Sequence, residues 1–304
     1  MPQVKPKPSE IAAEAKRTYM PYIEQKLPQF PARSFLHAET KSLPTDSGKG
    51  QEKRLRVAII DGDPVDVALG WSESNARTSE QDNQQSFGRE AARIPVVNMA
   101  NEKRAGGDWE SGLMAPEECL CRRSNLVHAL TTPWTASAQP CHYPIPTKGG
   151  LYSPHVVVFR SGPDRAYALW KDFKSLPVIS VAPVRRPKLE ESGLEYSFDE
   201  EKELMKEKMR TVLRIAAAWH HRDLCMGPFG VGPAFRNPVL QIAAMWRALL
   251  FTEPEFQGIF DNVVFAVEST VGGNAKGGMT DYDVFSQEFH PSNVVQTAYR
   301  KASW

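Results

Sequence analysis

Two hydrophobic rhythms alternate along the chain. The first has the spacing of a helix face: in "SEIAAEAKRTYMPYIEQKL" Ile11, Ala15 and Tyr19 fall on one side, Ser9 is placed to cap the start and Pro21 to bend the middle. The second is a short apolar run without polar alternation, as expected of strands covered on both faces. It occurs in "LRVAIIDGD", which ends in the turn Asp61-Gly62-Asp63, and at Ile94 to Val97, with Asn98 and Asn101 at its exit. It recurs in "HVVVFR", "PVISVAPV", "DLCMG" and "NVVFAV". The segment "APEECLCRRSNLVHAL" predicts a helix with Pro116 in its first turn, Glu117 and Glu118 where the macrodipole favours negative charge, and Leu120, Val127 and Leu130 as anchors. A long helix is predicted between Phe198 and His221, with Asp199 as cap and Leu204, Met209, Leu213 and Ala216 at helical spacing. "NPVLQIAAMWRALLF" predicts another, capped by Asn237 with Pro238 at its first position.

Three stretches carry neither rhythm. "GWSESNARTSEQDNQQS" has too little apolar content to pack and reads as a solvated surface insertion at about 70–90. "TTPWTASAQPCHYPIPTKGGLYSP" reads as a long loop, and the tail at about 272–304 is polar. Strands alternating with helices predict an α/β architecture with a mixed, largely parallel sheet covered on both faces. The expectation is a single domain over 1–304, preceded by a helical extension at about 8–27, with no internal repeat. In such sheets ligands bind beyond the carboxyl ends of the strands.

Composition narrows the function classes. With 304 residues, 41% of them hydrophobic, the chain can bury a large core. Lys+Arg of 37 against Asp+Glu of 36 leaves a formal charge of +1, so no global field draws the protein to nucleic acid or to an anionic membrane, and any anion must be held by a local site. Sequence-specific nucleic-acid binding is not expected. Cys119, Cys121, Cys141 and Cys225 form neither a disulfide framework nor a common zinc spacing, and are expected to be buried free thiols. The N-terminus lacks an apolar signal core and no run reaches the roughly 18 apolar residues of a spanning helix, which predicts a cytoplasmic or nuclear protein without a membrane partner. No pattern specifies an oligomeric state.

Two glycine-bearing stretches could carry chemistry. In "GPFGVGPAFRNP" Gly227, Gly230 and Gly232, with Val231 between the last two, let the backbone approach a ligand on the way to a helix start that favours an anion. The spacing is neither a dinucleotide fingerprint nor a Walker loop, and a tight strand-to-helix turn is the competing reading. In "AGGDWESGLMAPEEC" Gly106 and Gly107 precede the Glu117-Glu118 pair, while Asn98 and Asn101 offer amides suited to sugar hydroxyls. Ordinary helix-start electrostatics competes as the explanation of the acids.

The run "VVNMANEKRAGGDWESGLMAPEECLCRRSNL", with "GGLYSPHVVVFR", "VISVAPVRRP" and "LCMGPFGVGPAFRNPVLQIAAMWRALL", resembles the microbial-type poly(ADP-ribose) glycohydrolase family, whose catalytic domain is a macrodomain. The resemblance spans roughly residues 94–267 and implies a three-layer α/β/α fold. The family signature is three glycines, a short spacer and Gln-Glu-Glu. Here Asp108 replaces the third glycine and Pro116 the glutamine, on either side of a spacer that begins at Trp109. By resemblance Glu118 is the general acid, Glu117 holds ribose hydroxyls and Asn101 helps to seat the distal ribose; Phe229 and Phe235 are candidates for contacts near the ribose, the resemblance favouring Phe235. The phosphate loop differs from the family's by an extra residue around Pro233 and by Arg236 in place of a glycine, with Asn237 retained. Asp108 is expected to repel a diphosphate or alter the acceptor, and Arg236 to add a charge-assisted contact.

Adjacent helical residues point about 100° apart, which favours a division of labour between Glu117 and Glu118 over a pair flanking one bond. Asp61 or Asp63 is a candidate for hydrogen bonding adenine, and Trp109, Trp134, Tyr143 and Tyr152 are candidates for stacking on it. His220-His221 suits a helix end; no metal and no cofactor is expected. The resemblance implies ADP-ribose, poly(ADP-ribose) or ADP-ribosylated proteins as partners and hydrolysis at the distal ribose as the reaction. A mono-ADP-ribosyl hydrolase, a reader that binds without cleaving and an unrelated nucleotide enzyme remain open as alternatives.

Overall fold

The computed structural model describes residues 6–45, 54–81, 93–134, 141–269 and 278–294. In chain order the elements are α1 (Pro8–Glu14), α2 (Met20–Lys26), β1 (Phe35–His37), β2 (Arg56–Ile60), α3 (Pro64–Gln81), β3 (Val96–Met99), α4 (Pro116–Arg123) and α5 (Leu126–Thr131). They continue with β4 (Gly150–Arg160), β5 (Leu169–Val181), α6 (Asp199–Ala218), β6 (Asp223–Met226), α7 (Val239–Phe251), β7 (Asn262–Ala266) and α8 (Asp281–Glu288). This is an α/β fold with parallel and antiparallel strand pairs, of the kind the alternating pattern predicts. None of the described helices is long and apolar enough to cross a membrane.

The chain forms two compact units, one from Met1–Glu39 and Val65–Ala182, the other from Thr40–Pro64 and Pro183–Trp304. In the first the strand order is β1-β4-β5-β3: β1 and β5 run antiparallel to β4, and β3 runs parallel to β5. Val156 to Phe159 and Leu176 to Val181 are rich in β-branched residues and are buried throughout, as expected of strands covered on both faces. In the second unit β6, β7 and β2 lie side by side, all parallel. Phe265 on β7 sits 5.9 Å from the ring of Trp246 on α7 and 5.2 Å from that of Phe285 on α8.

Several local expectations change. The first helix starts at Pro8, with Lys7 rather than Ser9 at the cap, and its bend is a π-helical turn over Ala15–Tyr19. β2 alternates between exposed and half-buried positions because it has a strand partner, β7, on one side only in its unit. Residues 70–81 continue α3, while 82–92 lie outside the described residues. Val65, Ala68 and Leu69 bury the start of α3, and the hydroxyls of Ser72, Ser74 and Thr78 bond back to carbonyls four residues earlier, so the polar half stays helical without packing. The helix expected over 115–130 breaks at Ser124-Asn125, where Asn125 accepts from the Val157 N–H. The loop expected up to Pro154 ends at Gly150, where β4 begins. Phe198, not Asp199, is the cap residue of α6. Part of the polar tail forms α8, which buries Val284 and Phe285. The remaining residues from 295 onward lie outside the description.

Candidate active site

In the first unit α4 begins with extended backbone at Ala115 and Pro116 in its first turn, so Glu117 and Glu118 project from the electropositive end of the helix. Both are buried, at 2% and 6% exposure. Helix-start electrostatics would leave such acids in water, so burial marks them as more than a solvated first turn.

Glu117 is held from three directions. Its Oε2 accepts the Asn101 backbone N–H at 2.7 Å and its Oε1 the Asn98 amide at 3.2 Å. The Gly106 backbone N–H adds a third bond. Asn98 also donates to Ser180 Oγ on β5 at 3.1 Å, while its own Oδ1 is buried without a partner among the described residues. Asn98 thus lies within β3, not at its exit, and spends its donors on Glu117 and Ser180. Burial pushes the Glu117 pKa up to about 8; the three donors oppose that rise and the neighbouring Glu118 adds to it. Near neutral pH Glu117 is therefore largely protonated.

Glu118 Oε1 accepts the Asp108 backbone N–H at 3.1 Å, and its Oε2 makes no hydrogen bond among the described residues. Gly107 has a φ of +55°, and a Cβ there would run into Glu118 Oε1 and lie 3.5 Å from Glu117 Oε2. The two carboxyls, splayed by the helix at their Cα atoms, therefore converge over a residue that has no side chain. Gly106 is bounded by Trp109 and Cys121, which a Cβ would approach to 2.9 and 3.1 Å. Asn101 Oδ1 accepts the N–H groups of Lys103 and Arg104, closing a turn, and its amide nitrogen makes no hydrogen bond among the described residues.

The Asp108 side chain leaves this cluster and pairs with Arg104 at 2.6 Å, both largely exposed. That pairing reduces the repulsion expected from a carboxylate in the third glycine's place. Trp109 is buried, and Trp134 stacks on Phe35 with ring centroids 4.7 Å apart; both serve packing rather than an open face. Tyr152 is buried in β4, and the Tyr143 hydroxyl is buried without a partner among the described residues.

Sequence reasoning missed Arg122. It has no solvent exposure, and its guanidinium donates to the carbonyls of Trp109 at 2.8 Å, Ser111 at 2.9 Å and Leu113 at 2.7 Å. It stands four residues after Glu118, on the same helix face. The spacer is therefore fixed to α4 twice, at Asp108 through Glu118 and at Trp109 through Arg122. The available signal was an arginine pair inside an otherwise apolar helix face.

The glycine loop belongs to the second unit. Gly230 has a φ of +80°, and a Cβ there would meet Met205 at 2.5 Å and the Asn237 amide at 3.0 Å; Gly232 also has positive φ but open space around it. Gly227 has room for a Cβ at ordinary contact distance. Asn237 does not cap α7. Its amide nitrogen donates to the carbonyls of Val184 and Gly230, and its Oδ1 accepts the Tyr196 hydroxyl, so it locks the loop. Phe229 is 1% exposed and packs edge-on against Trp246, which corrects its reading as a ligand contact, and Phe235 is likewise buried. Val231 is almost fully buried. Asp61 is tied to the backbone and hydroxyl of Ser269 and is not free for a base. His220 lies past the end of α6, and no group of three potential metal ligands occurs among the described residues. None of the four cysteines forms a disulfide; Cys121 and Cys225 are buried, whereas Cys119 is half-buried and Cys141 exposed.

Residues 12–161 match the family model described as "Microbial-type PARG, catalytic domain". No curated protein matches the chain. The poly(ADP-ribose) glycohydrolase of Thermomonospora curvata superposes with a TM-score of 0.65 at 21% identity, covering 93% of this chain and 99% of that one. Its complex with the inhibitor ADP-HPD gives 0.63 at 22% identity over the same shares. The Deinococcus radiodurans enzyme in complex with ADP-ribose gives 0.61 at 21% identity, covering 88% and 98%. At these identities the likeness is one of fold. The residues matched by this family model, 12–161, include the acid pair.

Proposed function

We propose that the protein hydrolyses the glycosidic bond at the distal ribose of poly(ADP-ribose) or of an ADP-ribosylated protein, with Glu118 as general acid. The observation that carries this reading is the convergence of two buried carboxyls over Gly107, with one oxygen of Glu118 anchored by the Asp108 N–H and the other uncommitted. The uncommitted Oε2 is the atom assigned to the proton. Its transfer to the leaving oxygen lets the bond to the anomeric carbon break with both electrons on that oxygen. Water then adds to the oxocarbenium-like carbon and gives its proton to the vacated carboxylate.

Glu117, neutral at pH 7, is assigned to the ribose hydroxyls together with the Asn101 amide. The relatives crystallised with ADP-ribose and ADP-HPD support an ADP-ribose unit as ligand. Within the second unit the positive-φ glycines and Arg236 support phosphate as the partner of the loop.

The test measures ADP-ribose release from poly(ADP-ribose) and from serine- and glutamate-modified proteins, for wild type and Glu118→Gln, with calorimetry against ADP-ribose. Release that is lost in the variant while binding persists is the expected result. Binding without release from any substrate would make the protein a reader, and absence of binding would overturn both readings.

A further inference from the structure

Residues 108–115, ahead of Pro116, form the rim of the acid pair. Asp108 gives its backbone N–H to Glu118 Oε1 at 3.1 Å, so its side chain starts beside the carboxyl assigned to the leaving oxygen. The rim has two side-chain carboxylates, both exposed, and each is spent on a cation: Asp108 holds Arg104 at 2.6 Å and Glu110 holds Lys16 at 2.9 Å. Glu102 and Lys103, exposed and adjacent in the turn before it, add no net charge. The rim is thus charge-compensated. Beyond Glu110 it becomes apolar, with Leu113 and Met114 exposed by 46% and 51%. Arg122 binds the carbonyls of Trp109, Ser111 and Leu113, which keeps this backbone from turning the two side chains inward.

Whatever is attached to the leaving oxygen is too large to be enclosed with the ADP-ribose unit and has to pass over the exposed groups next to Glu118. A polymer brings a diphosphate in every unit, and a surface that recognises it supplies unpaired cations. Here Arg104 can turn to a phosphate only by leaving Asp108 uncompensated beside the same anion, so the exchange gains little. A polypeptide brings neutral backbone and apolar side chains, which compensated charges do not repel and for which Leu113 and Met114 offer a contact. Resting on the hydrolase reading above, we infer that the acceptor is a polypeptide: the site removes ADP-ribose from modified proteins in preference to shortening the polymer, and Asp108 is the residue that withholds Arg104 from polymer phosphate. On a modified serine, the proton of Glu118 goes to the side-chain oxygen as its bond to the anomeric carbon breaks, and water completes free ADP-ribose.

The test compares kcat/KM for release of ADP-ribose from a serine-mono-ADP-ribosylated peptide, with leucine on both sides of the serine, and from poly(ADP-ribose) counted per chain end. Serine and the polymer's ribose both leave as alcohols, so the comparison isolates what lies beyond the leaving oxygen. Wild type is expected to favour the peptide. Asp108→Asn keeps the backbone N–H and removes the charge, and is expected to shift the ratio toward polymer about five-fold at low salt and less at high salt. Adding Arg104→Gln to that variant is expected to cancel the shift, because the cation that Asp108 released is then gone. Leu113→Asn is expected to raise KM for the peptide about five-fold relative to the polymer. The three side chains are exposed, so the variants are expected to fold. A wild-type preference for polymer, or a ratio that Asp108→Asn does not move, would overturn the inference and leave the hydrolase reading standing. Release from neither substrate would overturn both.

Discussion

Gly107 decides how the acid pair is arranged, and its effect can be isolated. Alanine there would place a Cβ against Glu118 Oε1 at a φ of +55°. Gly107→Ala is expected to lose about 1–3 kcal/mol of stability, read from urea midpoints, and to lose hydrolysis along with it. Glu118→Gln keeps the shape and removes the proton, so it is expected to cost about 10²–10⁴-fold in rate with stability little changed. Glu117 gives a pH signature. Its pKa near 8 in the folded chain stands above the ordinary 4.5, so between those values the folded state holds more protons than the unfolded one. Stability is therefore greatest below about pH 4.5 as far as this group is concerned. It falls as pH rises, by up to about 1.4 kcal/mol per unit, and levels off above pH 8. Urea unfolding across that range should show the slope in wild type, and Glu117→Gln should abolish it. A slope that persists in the variant would assign the titration elsewhere.

At the level of elements, α4 and the spacer before it behave as one piece. Removing the Arg122 guanidinium strands three carbonyls and frees the loop whose Asp108 N–H holds Glu118. Arg122→Met is expected to destabilise by about 2–4 kcal/mol and to speed hydrogen exchange over residues 108–114. Arg122→Lys should recover part of the stability, but not the protection, since one ammonium cannot reach three carbonyls with a fork's geometry. The valine-rich strands were legible because both of their faces are covered, and Pro116 with its two acids announced a helix start. The break at Ser124-Asn125 was not, because it is made by a long-range bond from Val157 to the Asn125 side chain that no local spacing encodes. α8 was missed for a related reason. Val284, Phe285 and Phe289 are its only large apolar anchors, and they count only once Phe265 of β7 is there to receive them. The acid pair was visible by residue type, whereas the meeting of its carboxyls depends on Gly107's backbone, fixed by the turn from Arg104.

Across the whole molecule, the near-zero net charge agrees with a protein whose anion recognition is local. The division into two units has a further consequence, because the chain enters the second unit at Thr40–Pro64, returns to the first until Ala182 and then leaves for good. Strand β2 is made early, but its partner β7 follows about two hundred residues later. A nascent chain must therefore carry an unpaired apolar strand through most of its synthesis. A gene fragment ending near residue 182 would contain the acid pair but leave β2 without the strand beside it, and such a product is expected to aggregate. Deleting 40–64 from that fragment in favour of a short polar linker should restore a monodisperse product on size-exclusion chromatography, which makes the excursion of β2, rather than the edge of a family match, the boundary that an expression strategy has to respect.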